Sequence, residues 1–415
     1  MIVTHPHAPP ERAHPTSIRR IPGIEGTRAV AAGAIVLLHV WGYATPGDRV
    51  LGDGTAIAVP FEALALGVTL FFALSGFLLY LPFVRAVLEE RDLRVASYAR
   101  NRALRILPAY WVALAASALL LGGVFVRTAG GGPVVGRMTD PGDLLLTAGL
   151  VQNLRPATVG TGIGPAWSLA VEVQFYVVLP ILATGVAALA RGTQRSRRTF
   201  ALALAPAALL ALGLSGKAVA AWVVTSPKGE FGGFDPTWHA VVERSLWAQA
   251  DLFAFGMALA VVHAYVESGR LRLPRRWRPR CLGMAAVVLL PCVITAHGFE
   301  QTYLVQNTGE ALALGLVLAT VVLPADPPGP RRVLRLLESR FALGMGLSSY
   351  SLFLWHEPLI HWLERHDVTR PGWGGLAANI VIVAVFAGAI ATLSYRYVEL
   401  PALRRKRPMI RAERR

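Results

Sequence analysis

Residues 23–43 read GIEGTRAVAAGAIVLLHVWGY, an almost wholly apolar run about long enough to cross a bilayer as one helix. Within it stand Arg28 and His39. Eleven residues is about three helical turns, so both side chains project from one face, about 16 Å apart along the axis. A charge inside a membrane span is costly and faces the bundle interior or a water-filled cavity. The spacing therefore predicts a first span with a polar inner face, and other helices gathered around it.

The remaining composition agrees. Of 415 residues, 54% are hydrophobic and 16% charged, with a mean hydropathy of +0.49, values that exclude an ordinary soluble domain. Ten stretches are apolar enough to be read as spans: 24–45, 62–83, 106–126, 166–190, 199–225, 244–267, 281–297, 304–323, 341–363 and 376–397. The fold class expected is all-α, a polytopic transmembrane bundle of about ten spans. The short apolar segment 143–154 reads as a half-helix in a loop. The first apolar run is too long for a signal-peptide core and contains Arg28, so it reads as a retained span. Cys281 and Cys292, eleven residues apart on one helix, cannot bridge each other.

Orientation follows from the basic residues. With both termini cytoplasmic, the inner loops and tails carry 31 Lys and Arg and the outer loops seven. This asymmetry also accounts for the net charge of +16 without nucleic acid, because the basic loops face an anionic leaflet. The expected location is the inner (plasma) membrane, multi-pass. One basic loop differs from plain anchoring. In SYARNRALRILPAYW (97–111), Arg102 and Arg105 share a helical face at the cytoplasmic mouth of the third span, and paired guanidinium groups suit bidentate phosphate recognition.

A second polar set lies in the outer half. His39, Glu172, Asp251, His356 and Glu357, from four spans, fall at one depth, with Gln174 and Gln249 close by. Gathered around a cavity, such groups can satisfy one another. A histidine and a carboxylate at one level suit general-base chemistry, with imidazole taking a hydroxyl proton and the acid holding the ring. The sequence has no G-x-S-x-G nucleophile and no H-E-x-x-H or other metal-ligand spacing, so no metal site is expected. Attack by an acceptor hydroxyl on an activated acyl group fits these residues.

Six segments, in order, resemble the motifs of the membrane-bound acyltransferase family 3, bacterial integral-membrane O-acyltransferases. They are GIEGTRAVAAGAIVLLH (23–39), GVTLFFALSGFLL (67–79), ARNRALRILPAYW (99–111), PAWSLAVEVQFYVVLP (165–180), GLSSYSLFLWHEPLI (346–360) and SYRYVELPALR (394–404). Departures are mild: Glu25 stands where Asp is usual, Val173 where a second acid is common, Asp251 where Glu is expected, and Phe353 replaces Tyr. The resemblance implies a 1–22 cytoplasmic tail, an acyltransferase membrane domain over 23–400 and a basic cytoplasmic tail over 401–415.

The resemblance also implies transfer of an acyl group, acetyl or short acyl, from acyl-CoA to a hydroxyl of a sugar, envelope glycan or macrolide-like metabolite. His39 and Glu172 would be catalytic, with His39 the general base. Arg28, Arg102 and Arg105 would bind the donor, which is a substrate, and no resident cofactor is expected. Trp167 and Tyr176 would line the acceptor slot. Ser168 and Gln174 are the available oxyanion donors, and His356 belongs to the same substrate-binding layer. The competing expectation is a proton-coupled transporter of a polyol or anionic solute, although the paired broken helices of repeated halves that such carriers show are not visible.

Overall fold

The computed structural model describes residues 20–43, 51–52, 55–128, 131–223, 234–295, 303–324 and 331–409. The expected 1–22 tail lies almost entirely outside these residues, as does the end of the 401–415 tail.

Among the described residues, ten long helices form in the expected order. They are α1 (Ile24–Tyr43), α2 (Leu66–Leu88), α3 (Val95–Ala115), α4 (Ala166–Ala190), α5 (Arg195–Trp222), α6 (Leu246–Glu267), α7 (Trp277–Thr295), α8 (Tyr303–Val322), α9 (Ser349–Arg365) and α10 (Gly372–Ser394). Among the described residues, seven helical stretches are long and apolar enough to cross a membrane, those built on α1 to α6 and on α10. Of the other expected spans, 281–297 overlaps α7 up to Thr295 and its last two residues lie outside the described ones, 304–323 overlaps α8 up to Val322, and 341–363 is broken at Ser348 into Arg340–Leu347 and α9. Ser348 ends one helix and precedes the next, its hydroxyl turned back to the Gly344 carbonyl at 3.1 Å. That local bond competes with helix continuation.

Helix α9 is polar for its place, with His356, Glu357 and His361 among its residues. It can be so because it is buried in the bundle: every residue from Ser349 to His361 is buried. It packs on α1 and α10. The other half of the core is α2, α5 and α6. A Cβ at Gly76 would overlap the Phe253 backbone, and one at Gly256 would overlap the Ala73 backbone. Glycine at these two positions lets α2 and α6 touch along their backbones, the usual means of tight helix association in lipid. Phe253 then stacks on Phe175 with ring centroids 4.1 Å apart and meets Phe72 at 4.7 Å, tying α4 into the same core.

Between α3 and α4 the chain makes an antiparallel hairpin, β1 (Val124–Thr128) with β2 (Gly131–Gly136), which the apolar reading did not foresee. Phe125 exchanges two 2.8 Å backbone bonds with Gly162, and Arg127 holds Asp143 at 2.9 and 3.1 Å. The 143–154 segment is the expected short helix, Pro141–Ala148, followed by a single turn at Gln152–Leu154.

Beyond α10 the helix widens into a π-turn at Tyr395–Glu399. The following tail is strapped to α3. The Asn101 side chain donates to the Arg407 carbonyl at 2.8 Å and accepts its N–H at 2.9 Å. Arg94 N–H bonds the Met409 carbonyl at 2.9 Å.

Candidate functional site

The polar groups of the core form two centres, one at each end of the Arg28–His39 face. At the Arg28 end lies a cavity of about 110 Å³ between α1, α2, α3, α4 and α9, with Arg28, Arg102, Arg105, Glu172, Tyr176 and Ser168 in its wall. Arg105 pairs with Glu399, whose other carboxylate oxygen accepts from Ser351 at 3.1 Å. Glu399 is 1% exposed, and the π-turn on which it sits aims it into the bundle. The guanidinium of Arg105 lies 5.4 Å from the Tyr350 ring centre, and that of Arg102 lies 5.9 Å from that of Tyr176. Even so, Arg102 Nε and Arg105 Nη2 are buried without a hydrogen-bond acceptor among the described residues. Two orphaned, charged N–H groups in one cavity wall are costly unless an anion is to be bound there.

The tail strap brings Lys406 to this centre. Desolvation, and after it the charges of Arg102, Arg105 and Arg28, push the Lys406 ammonium down to about 7, with Glu399 opposing. Neither Lys406 nor Glu399 was singled out from sequence, although both stand in or beside the closing SYRYVELPALR motif.

At the other end His39 meets His356. His39 Nδ1 and His356 Nε2 are 2.8 Å apart, and the rings stack with centroids 5.0 Å apart. His356 Nδ1 lies 3.1 Å from the Leu352 carbonyl, which can only accept. With both rings neutral, the protons are thereby assigned. His356 Nδ1–H donates to Leu352, its Nε2 accepts from His39 Nδ1–H, and His39 Nε2 carries a lone pair. The pair stands next to the cavity: the Phe353 ring, in the cavity wall, is 6.0 Å from that of His356.

The expected polar layer is thus divided. Glu172 is not the group at His39 Nδ1; it accepts from the Ser75 hydroxyl and bonds Tyr176, at the Arg28 end. Glu172 shares a cavity wall with Arg28 rather than a level with His39, and it faces α2. Asp251 binds Lys217 at 2.6 Å and the Thr308 hydroxyl at 2.5 Å, a buried tie between α5, α6 and α8. Glu357 packs its carboxylate against Gly164, in the space a Cβ there would take. Gln174 accepts the Leu246 N–H at 3.0 Å, linking α4 to α6. Ser168 lines the cavity but donates its hydroxyl to Pro165 at 2.9 Å. Trp167 faces away from Tyr176, into a second cavity, with the Arg244 guanidinium 4.8 Å from its ring centre. The structure therefore brings together Arg28, Arg102, Arg105, Glu172, Ser168 and Tyr176, joins His39 to His356, and separates Trp167 from both. No cluster of potential metal ligands occurs among the described residues.

Comparison of the sequence with known proteins identifies a family. The acyltransferase domain profile of family 3 covers residues 21–395. Nodulation protein 10 of Rhizobium leguminosarum bv. viciae is 25% identical over 92% of this chain and 93% of its own. Acyltransferase MdmB of Streptomyces mycarofaciens is 26% identical over 96% of each. Peptidoglycan O-acetyltransferase OatA of Listeria monocytogenes serovar 1/2a is 22% identical over 93% of this chain and 56% of its own length. No solved structure matches. Family and relatives point to acyl transfer and lend the transporter expectation nothing. With its set of apolar helices the chain is a multi-pass membrane protein, and it belongs to the membrane-bound acyltransferase family 3, enzymes that transfer acyl groups other than aminoacyl.

Proposed function

We propose that the protein moves an acetyl or short acyl group from acyl-CoA to a hydroxyl of a sugar, envelope glycan or macrolide-like metabolite, with His39 as general base. The observation that carries this reading is the pair of buried guanidinium N–H groups on Arg102 and Arg105, unmatched by any described acceptor, in a cavity whose wall residue Phe353 has its ring 6.0 Å from that of His356. A donor with phosphates at one end and a reactive thioester at the other fits such a cavity. Arg102, Arg105, Arg28 and Lys406 take the phosphates, and the arm passes along the wall toward Phe353. Glu399 holds Arg105 in place. Glu172 acts from the donor side, where it fixes Ser75 and Tyr176 and balances Arg28.

In the reaction the acceptor oxygen attacks the thioester carbonyl while His39 Nε2 takes its proton. The charge formed on the ring is shared through the His39 Nδ1–H bond to His356, which fixes the tautomer in the way a carboxylate does in other triads. Collapse of the tetrahedral intermediate breaks the carbon–sulfur bond, and the departing thiolate recovers the proton from His39. Ten spans, cytoplasmic termini and a place in the plasma membrane complete the reading, since they put the arginine end toward the cytoplasmic pool of donor. The relatives named for peptidoglycan O-acetylation support a glycan hydroxyl as acceptor. The test is label transfer from radioactive acetyl-CoA by the protein purified in detergent. Transfer, or slow thioester hydrolysis, that disappears in His39→Ala at unchanged protein yield is expected. Full activity in that variant refutes the base.

A further inference from the structure

The wall of the arginine cavity changes character along its length. On α2 it runs from Leu79 to Val68, eleven residues, about 16 Å at 1.5 Å per residue. Four helices give it polar groups: Ser75 on α2, Arg102 on α3, Glu172 on α4 and Ser349 on α9. One helical turn from each stands an apolar residue of the same wall. Phe71 comes four residues before Ser75, Ile106 four after Arg102, Leu169 three before Glu172 and Phe353 four after Ser349. Residues three or four apart share a helix face, which is why both sets meet one cavity. Ile106, Leu169 and Phe353 belong to one buried cluster with Phe71 packed on it, so the four make a single collar.

The collar lies on the histidine side of the polar groups. Phe353 stands between Ser349 and His356 on α9, and its ring is 6.0 Å from that of His356. Phe71 meets the same Phe353 ring edge-on, at 6.2 Å and 75°. Phe353 is 7% exposed and has a ring on each side, so turning it aside displaces one of them. The collar side chains carry no charge and no hydrogen-bonding group. They suit neither phosphates nor amides, and they suit a hydrocarbon chain.

We infer that this collar seats the acyl chain of the donor, and that Phe71 and Phe353 restrict it to short chains such as acetyl and propionyl. The inference rests on the acyl-transfer reading above for the identity of the donor, but the binding it describes can be read without turnover. With the phosphates at the arginines, the arm lies along the cavity and its thioester end reaches the collar. Each further methylene then pushes into two rings already packed on their neighbours, and overpacking of this kind is costly. One methylene in an apolar pocket discriminates by about 10–200-fold.

The experiment is titration calorimetry of acetyl-, butyryl- and hexanoyl-CoA with the full protein in detergent, with release of coenzyme A followed in parallel. The native protein should bind hexanoyl-CoA at least ten-fold more weakly than acetyl-CoA. Phe71→Leu and Phe353→Leu, which shorten the rings to aliphatic chains, should each reduce that ratio to three-fold or less. Phe353→Tyr keeps the ring and should keep the native ratio. Leu354→Ala loosens the same cluster outside the cavity wall and should keep it too. Detergent takes up the longer chains equally in every sample, so the change in ratio between proteins is the readout. Equal affinities in the native protein, a native ratio in both leucine variants, or the same fall in Leu354→Ala overturns the inference. Length-dependent binding with no coenzyme A released from any donor would instead overturn the acyl-transfer reading and leave the collar as the seat of the chain.

Discussion

His356 Nε2 accepts a hydrogen bond from His39 Nδ1 at 2.8 Å, and the Leu352 carbonyl fixes the direction of that bond by taking the far proton of His356. The proposed base, His39, is therefore oriented by a second imidazole. Removing the base should cost about 10²–10⁴ in kcat, as for other general bases. His356→Ala should cost less, and His356→Gln less still, because its side-chain oxygen can replace Nε2 as acceptor. The KM for donor should not move in any of the three. Steady-state kinetics on the purified variants check the order; an inactive His356→Gln beside an active His39→Ala would reverse the roles.

Glu399 and Arg105 make the second pair that matters. Glu399→Gln leaves a largely buried guanidinium without its counter-ion, which costs about 3–5 kcal/mol when such a pair is broken from one side. Lower thermal stability in detergent should appear together with a raised donor KM, since Arg105 loses its fixed position. Ser351→Ala removes the 3.1 Å bond behind Glu399 and the 3.2 Å contact with the Ser394 hydroxyl while leaving the Arg105–Glu399 pair, and should show both effects in weaker form. A Glu399→Gln variant with native stability and donor KM would exclude this role.

Much of this was legible in the sequence, for identifiable reasons. The charged positions inside apolar runs had to face inward, so Arg28, His39 and Glu172 were found from the cost of burying charge alone. The pairing of Arg102 with Arg105 followed from helical spacing. What failed was level as well as azimuth. Glu172 sits at the Arg28 end and not beside His39, and Ser75, His356 and Lys217 decide which way Glu172, His39 and Asp251 turn, through contacts that cross between helices far apart in the chain. Glu399 was hidden because its inward aim depends on a π-turn that no apolar period announces. The hairpin of β1 and β2 was hidden because its strands are only five and six residues long.

Lys217 and Asp251 illustrate the difference between an ion pair that stabilises and one that only has to be complete. Both are buried, at 3% and 0% exposure, and Thr308 bonds both. Lys217→Met alone should destabilise the protein by about 3–5 kcal/mol, because Asp251 remains as an unpaired buried charge. Lys217→Met combined with Asp251→Leu should recover most of that loss. Thermal unfolding of the two variants in one detergent decides it; equal melting temperatures for the single and double variants would mean that the pair stabilises the native helix packing directly.

Lys406 gives the proposed donor site a pH dependence with a definite sign. Burial among Arg102, Arg105 and Arg28 holds it at about 7, so its charge is present below that pH and lost above it. Affinity for the phosphates of coenzyme A should therefore fall as pH rises from 6 to 8. One ammonium–phosphate contact near a protein surface is worth about 1 kcal/mol or more, so the inhibition constant of free coenzyme A should rise about five-fold across that range. Lys406→Arg keeps its charge throughout, and should hold the tight value at pH 8. Lys406→Met should show the weak value already at pH 6. Because all three proteins see the same ligand titration, any slope common to them belongs to coenzyme A, and only the excess slope of the native protein reports Lys406. Parallel profiles in the native and Lys406→Arg proteins would place the tail outside the donor site.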